Sequence, residues 1–310
     1  MDRNHLLGIG CGVLAGALWG LVFLAPNLTP DFTAFEISAG RYLAYGAMAL
    51  ALVAPRWSAL RTKLTRDDWL ALAWLSLAGN IVYYIFLATA VQMAGPAPAA
   101  LIVGLLPVVI SLIGTRDEGA VSVTKLAPSL VLAVAGVGLI SASSLARDGL
   151  QGNWQQQTAG LICAVGALAC WTLFAVGNAR RIARLPHVSS HDWSLLLGVV
   201  TGAQALLLTP AFLLSPQFHD TEAWLRLGMI SCAIALLASV AGNALWNSAS
   251  RRLPLTMTGQ MVIFETLFAL LYGFLWEQRL PTVLELAAIM ALVLAVLWCV
   301  TSHRMPRPHE

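Results

Sequence analysis

Two stretches, Leu6 to Ala25 and Leu70 to Ala90, carry no charged side chain over the ~20 residues that a helix needs to cross the hydrocarbon core of a bilayer. The composition extends that character to the whole chain. Of the 310 residues, 58% are hydrophobic and 11% are charged, where soluble domains carry about 25% charged residues. These numbers imply a polytopic membrane protein. A transmembrane barrel would show short segments that alternate apolar and polar side chains. Here the runs are apolar on every face, so the spanning structure is read as all-α.

Ten transmembrane helices are predicted, near 7–25, 34–54, 69–91, 96–115, 124–144, 158–179, 191–214, 223–249, 255–275 and 283–301. The connections are short, and none has the charge or turn chemistry of a separate soluble domain, which places the function within the membrane. The first run leads into Pro26, Asn27, Leu28, Thr29 and Pro30 without a small-residue cleavage site, so it is read as a retained helix. Cys11, Cys163, Cys170, Cys232 and Cys299 all fall within predicted spans and lack ligand-like spacing, so they read as packing residues and no metal site is expected.

Lys and Arg are held on the cytoplasmic side during insertion. With ten helices, the termini share a side with the connections after the even-numbered ones. That side holds Arg3, Arg56, Arg61, Lys63, Arg66, Arg116, Lys125, Arg180, Arg181, Arg184, Arg251, Arg252, Arg304 and Arg307, and the other only Arg147, Arg226 and Arg279. Both termini are therefore expected in the cytoplasm. The net charge of +3 reflects topology and gives no reason to expect a nucleic-acid partner.

The two halves resemble each other. "SLAGNIVYY" from Ser76 recurs as "SVAGNALWN" from Ser239, and "GVLAGALWGLVF" from Gly12 parallels "AVGALACWTLFA" from Ala164, aligning Trp19 with Trp171 and Gly8 with Gly160. Pro96 likewise falls on Pro254, and "DEGAVSV" from Asp117 parallels "WEQRLPTV" from Trp276. The join lies in the polar stretch 147–157, dividing the chain into repeats over 1–150 and 151–310. Five helices is an odd number, so the second repeat enters the membrane from the opposite side. Inverted repeats are a recurrent plan of secondary transporters, with substrate bound near the midplane between the halves.

The stretch "IFETLFALLYGFLWEQRLPTVLELAAIMALVLAVL" from Ile263 is similar to the second-repeat signature of the drug/metabolite transporter superfamily in its ten-helix, EamA-type branch. Glu265 and Glu277 match the two acids of that signature, while Thr266 stands where a proline is usual; Pro107 supplies the corresponding irregularity in the first half. Whether the ninth helix kinks without that proline is left open. The tryptophan, tyrosine and asparagine content of the first, third, sixth and eighth helices resembles the bacterial aromatic amino acid exporter group. That resemblance implies a multi-pass protein of the bacterial inner membrane that exports such amino acids by alternating access.

Ser76, Asn80, Tyr83, Tyr84 and Leu87 share one side of the third helix, and Ser239, Asn243, Trp246, Asn247 and Ser250 share the matching side of the eighth. These stripes would suit a cavity in which amides orient a zwitterion and rings accept its side chain. Alternatively, the amides bond neighbouring helices and the rings meet lipid. Gly8, Gly12 and Gly16, at four-residue spacing, read as a packing surface. For Trp19 and Trp171, cavity lining and packing are both open. Gly8-x-Gly10-x-Gly12 lacks the preceding strand of a dinucleotide fingerprint, so no nucleotide or other cofactor is expected.

Two ionisable residues lie deep in predicted spans, Arg41 and Glu265. Each costs about 2.5–3.5 kcal/mol at a helix centre on insertion scales, so each is expected to face protein or water. In one reading Arg41 attracts a substrate carboxylate while Glu265 attracts the ammonium group or takes up a proton. In the other the two pair and fix the bundle. Gln260 projects about 140° around the helix from Glu265 and ranks below it.

The expected function is export of small amphiphilic metabolites, aromatic or large apolar amino acids foremost, with export of cationic drugs as the alternative. A sugar-nucleotide substrate would need several buried basic residues, and only Arg41 is present. No ATP-binding motif occurs, so an ion gradient or the substrate's own gradient must drive transport. An enzyme is not expected, because the histidines lie at termini, connections or helix edges and no nucleophile motif is present. A channel is the remaining alternative.

Overall fold

The computed structural model describes residues 3–94, 99, 102–117, 120–148, 154–210, 219–276 and 278–303, and among these the chain forms helices and no strand. Pro96, Glu118, Glu277, Arg304, Arg307, His309 and residues 149–153 of the expected join lie outside the described residues. The main helical runs are α1 (Arg3–Gly20), α2 (Ala34–Val53), α3 (Arg66–Val91), α4 (Leu106–Gly114), α5 (Val123–Asp148), α6 (Trp154–Ala183), α7 (Ser190–Ala205), α8 (Thr221–Arg252), α9 (Leu255–Trp276) and α10 (Val283–Ser302). Among the described residues, seven runs are long and apolar enough to cross a bilayer: α1 with its continuation to Leu24, Phe35–Arg61, α3, α6, α8, α9 and α10.

Local sequence starts several of these helices cleanly. In α2, Thr33 caps the first turn and its own N–H donates to the Glu36 carboxylate at 2.8 Å; Thr65 with Asp68 and Thr282 with Glu285 repeat the device at α3 and α10. Each cap satisfies backbone groups that a helix end leaves unpaired. It also lets Glu36, Asp68 and Glu285 be buried.

The polarity of the bundle is reversed relative to a soluble protein. Leu207, Ile162 and Leu275 are 80%, 67% and 67% exposed, while Ser76, Asn178, Thr201 and Gln260 are fully buried. Lipid is the solvent for such an exterior, and the buried polar groups hydrogen-bond across helices. The packing pairs are α5 with α10, α2 with α7, α3 with α6, α4 with α9, and α1 with both α8 and α9.

Glycines set the closest approaches. Along α1, a Cβ on Gly8 would strike Leu253, on Gly12 Met261, on Gly16 Phe264, and on Gly20 the Ala269 backbone, so the four-residue stripe does pack, chiefly on α9. The α2–α7 crossing is tighter still, since a Cβ on Gly202 would come within 2.5 Å of the Gly46 Cα.

Two helices depart from α geometry at the recurring Ser-x-Ala-Gly-Asn motif. α3 contains a π-helical segment over Leu77–Val82, and α8 one over Ala235–Gly242. π segments are rare and concentrate at functional sites.

Candidate functional site

The π segment of α8 is the platform of the site. Widening the helix shifts carbonyls out of the regular ladder, and Ala238 O accepts a hydrogen bond from Trp19 Nε1 at 3.1 Å. Arg41 Nε donates to Ser239 Oγ, the next residue, at 3.2 Å. Gly242 makes the space, because a Cβ there would lie 2.9 Å from Trp19 Nε1. The corresponding glycine of α3, Gly79, leaves room for the Phe174 ring.

Around this platform the structure gathers three of the sequence-selected tryptophans. Trp19 lies 5.1 Å from Trp246 and 5.9 Å from Trp171 between ring centroids, and Trp171 and Trp246 are 5.9 Å apart. All three are buried. Edge and tilted contacts of this kind stabilise beyond area burial, and they give the bundle centre an aromatic lining contributed by α1, α6 and α8.

Glu265 sits one helix away. The run of α9 is interrupted at Val262, and Glu265 N donates to Val262 O at 3.0 Å, so the carboxylate stands in the first turn of Ile263–Trp276. A break therefore occurs although Thr266 replaces the proline. It places an acid at a helix N-terminus, whose partial positive charge favours an anion. Gly16 admits α1 against this point, since a Cβ there would meet Glu265 N at 2.8 Å.

Arg41 and Glu265 make no ion pair among the described residues. Arg41 is held by Ser239 and lies 5.3 Å from the Tyr42 ring centroid. Tyr83, which follows the π segment of α3, is half-buried against the hydrophobic core. Tyr84 and Arg41 line a cavity of about 30 Å³ together with Ser38, Ser231 and Ile234. That is room for about one water molecule, so in this conformation no amino acid fits.

Asn80 and Asn243 of the stripes bind other helices. Asn80 Nδ2 donates to Thr201 Oγ1 at 3.0 Å, joining Ser76 and Gln204 in a link from α3 to α7, and Asn243 Nδ2 reaches Tyr45 Oη of α2 at 3.4 Å. Tyr45 in turn donates to Ser194 O at 2.7 Å. Gln260 is fully buried and donates to Ser111 Oγ at 3.1 Å.

Sequence reasoning did not single out the network centred on Asn178. Its Nδ2 donates to Asn247 Oδ1 at 2.7 Å and its Oδ1 accepts from Trp193 Nε1 at 2.8 Å, all fully or almost fully buried. Asn247 stood in the stripe of the eighth helix, but no pattern in the sequence pairs it with Asn178. Asn178→Ala is expected to lose about 1–2 kcal/mol, the upper range for interhelical polar contacts in membranes, measurable as a lower thermal midpoint in detergent.

The sequence is 34% identical over 302 residues to inner membrane protein YtfF of Escherichia coli (strain K12), a match that covers 93% of each chain. The chain belongs to the YtfF family. No family model matches the sequence. A solved crystal structure is 21% identical to this YtfF-family protein, with the match covering 96% of this chain and 98% of the other, and superposes with a TM-score of 0.72. At that identity the likeness speaks for the fold alone. Together with its apolar helices, the relationship makes this YtfF-family protein a multi-pass protein of the inner membrane.

Proposed function

We propose that the protein is a secondary transporter that exports small amphiphilic metabolites, foremost amino acids with aromatic or large apolar side chains. It works by alternating access between two inverted five-helix repeats, 1–150 and 151–310, in a ten-helix plan with both termini in the cytoplasm. This reading puts it with the EamA-type branch of the drug/metabolite transporters. It is a carrier and carries out no chemistry on its substrate.

The repeat reading draws support from the packing. Exchanging each helix for the one five places later turns α3–α6 into α8–α1 and leaves α2–α7, α4–α9 and α5–α10 as the same pairs. The two π segments fall on the same motif in each half.

The observation that carries the transport reading is a base, Arg41, bonded to the π segment beside the tryptophan cluster, with an acid, Glu265, in the neighbouring helix and no ion pair between the two. Arg41 would receive a carboxylate and Glu265 an ammonium group or a proton, while Trp19, Trp171 and Trp246 meet an apolar side chain. Tyr83 and Tyr84 stand beside the two charges, and Asn80 and Asn243 tie the moving helices at their flanks. Because the cavity is closed, substrate entry requires α8 and α9 to separate from α1 and α2.

A direct test is titration of the purified protein with tryptophan, phenylalanine, leucine and a panel of organic cations, followed by calorimetry. The zwitterions are expected to bind, with affinity lowered by both Arg41→Gln and Glu265→Gln. Binding of cations alone, indifferent to Arg41→Gln, would contradict the assignment and favour the cationic-drug alternative.

A further inference from the structure

Away from this centre, Glu36 in the first turn of α2 and His219, just before the start of α8, form a buried titratable pair. His219 Nε2 lies 3.8 Å from Glu36 Oε1, with the side chains 5% and 1% exposed, and neither atom has a hydrogen-bond partner. The other Glu36 oxygen is fully engaged by the Thr33 N–H and hydroxyl at 2.8 Å. Aromatic rings close the imidazole in: Phe32 stacks on it at 4.1 Å between centroids, and Trp224 meets it edge-on at 5.6 Å.

A separation of 3.8 Å is too long for a hydrogen bond, and two orphaned polar atoms in a buried site are costly. Adding a proton to the imidazole makes both ring nitrogens donors. Nε2 can then donate a charge-assisted bond to Oε1, which satisfies both orphans at once. Imidazole is the side chain that changes charge in the physiological range. The remaining charged groups on the two segments do not compete for the pair. Asp31 and Arg226 face each other at 3.7 Å and are largely exposed, Asp220 caps α8 through Ala223 N at 2.7 Å, and Glu222 is exposed.

The pair also sits where it can act on the centre. Ile37 and Ser38, next to Glu36, line the Arg41 cavity, as do Ile230 and Ser231 of α8. We propose that Glu36 and His219 form a proton-binding latch that clamps α2 to α8 when His219 is protonated and closes the extracytoplasmic end of the pathway. Its role as a gate rests on the transport reading and on the orientation given above. External acid would then slow release of substrate to the outside.

The test reads closure itself and needs no substrate, so a failed transport assay leaves it standing. In a background without the five native cysteines, Ser231→Cys is placed in the cavity wall and Leu280→Cys on the exposed extracytoplasmic surface as a reagent control. Labelling of sealed vesicles by a membrane-impermeant thiol reagent is followed at pH 8 and pH 5.5. Relative to the control, Ser231→Cys is expected to react about tenfold more slowly at the lower pH, the scale of one charge-assisted hydrogen bond. In His219→Gln and in Glu36→Gln that slowing disappears, and in His219→Arg, which carries a permanent charge, labelling is slow at both pH values. The same pH profile in the parent, His219→Gln and Glu36→Gln overturns the latch, as does fast labelling of His219→Arg at both pH values.

Discussion

Gly46→Leu is expected to be the most disruptive single substitution in the chain, lowering stability by about 3 kcal/mol or more. The reason is the material it meets. A flexible side chain can move aside, but at the α2–α7 crossing each glycine abuts the other's Cα, and Tyr45 packs on Gly198 one turn away. The helices must separate, which also breaks the Tyr45 bond to Ser194 O and weakens the hold of Asn243. In membranes, close packing of small residues is a principal source of helix association. Gly202→Leu, the partner change, should do the same, whereas Gly138→Leu, where a Cβ meets open space, should leave the protein intact. The yield of monodisperse protein and its thermal midpoint in detergent distinguish these outcomes.

Glu265→Gln is expected to separate stability from function. A half-buried carboxylate in a membrane helix, without an ion-pair or hydrogen-bond partner among the described residues, destabilises the bundle, so neutralising it should raise thermal stability by about 1 kcal/mol. Transport should fall roughly 10- to 100-fold, the range of a charge-assisted hydrogen bond to substrate. A residue that served only to fix helices would move both quantities down together. Arg41→Gln should likewise impair transport, but with a loss of stability, because Arg41 is bonded to Ser239 and Glu265 is not bonded to Arg41.

Much of the architecture was legible from local rules. α2 and α10 begin and end within two residues of the ranges expected from hydropathy, because a predominantly apolar run in lipid has little choice but to be helical. The spacing of Gly8, Gly12 and Gly16 announced a packing face, and the repeated Trp19 and Trp171 drew attention to what became the aromatic centre.

Other features depend on distances that no one-dimensional pattern carries. That Arg41 and Glu265 approach without pairing follows from Arg41 being drawn to Ser239 in the π segment. A π segment is set by how neighbours crowd a helix, here Trp19 against Gly242 and Phe174 against Gly79, so the recurring Ser-x-Ala-Gly-Asn motif marked the place but not the change of helix geometry. His219 read as a residue at a helix edge; its burial comes from Phe32, Trp224 and Glu36 folding over it. The interruption of α9 at Val262 likewise arises without the proline that would have signalled it, so Thr266 was no guide in either direction.

Alternating access past Arg41, Glu265 and the tryptophan cluster is proposed to carry amino acids across the membrane. Counterflow in proteoliposomes tests it most directly. Vesicles loaded with unlabelled phenylalanine should transiently concentrate labelled phenylalanine from outside, with saturation, and both Arg41→Gln and Glu265→Gln should abolish the overshoot. Linear, non-saturable entry accompanied by ohmic current, or no overshoot with phenylalanine, tryptophan or leucine, would contradict the account.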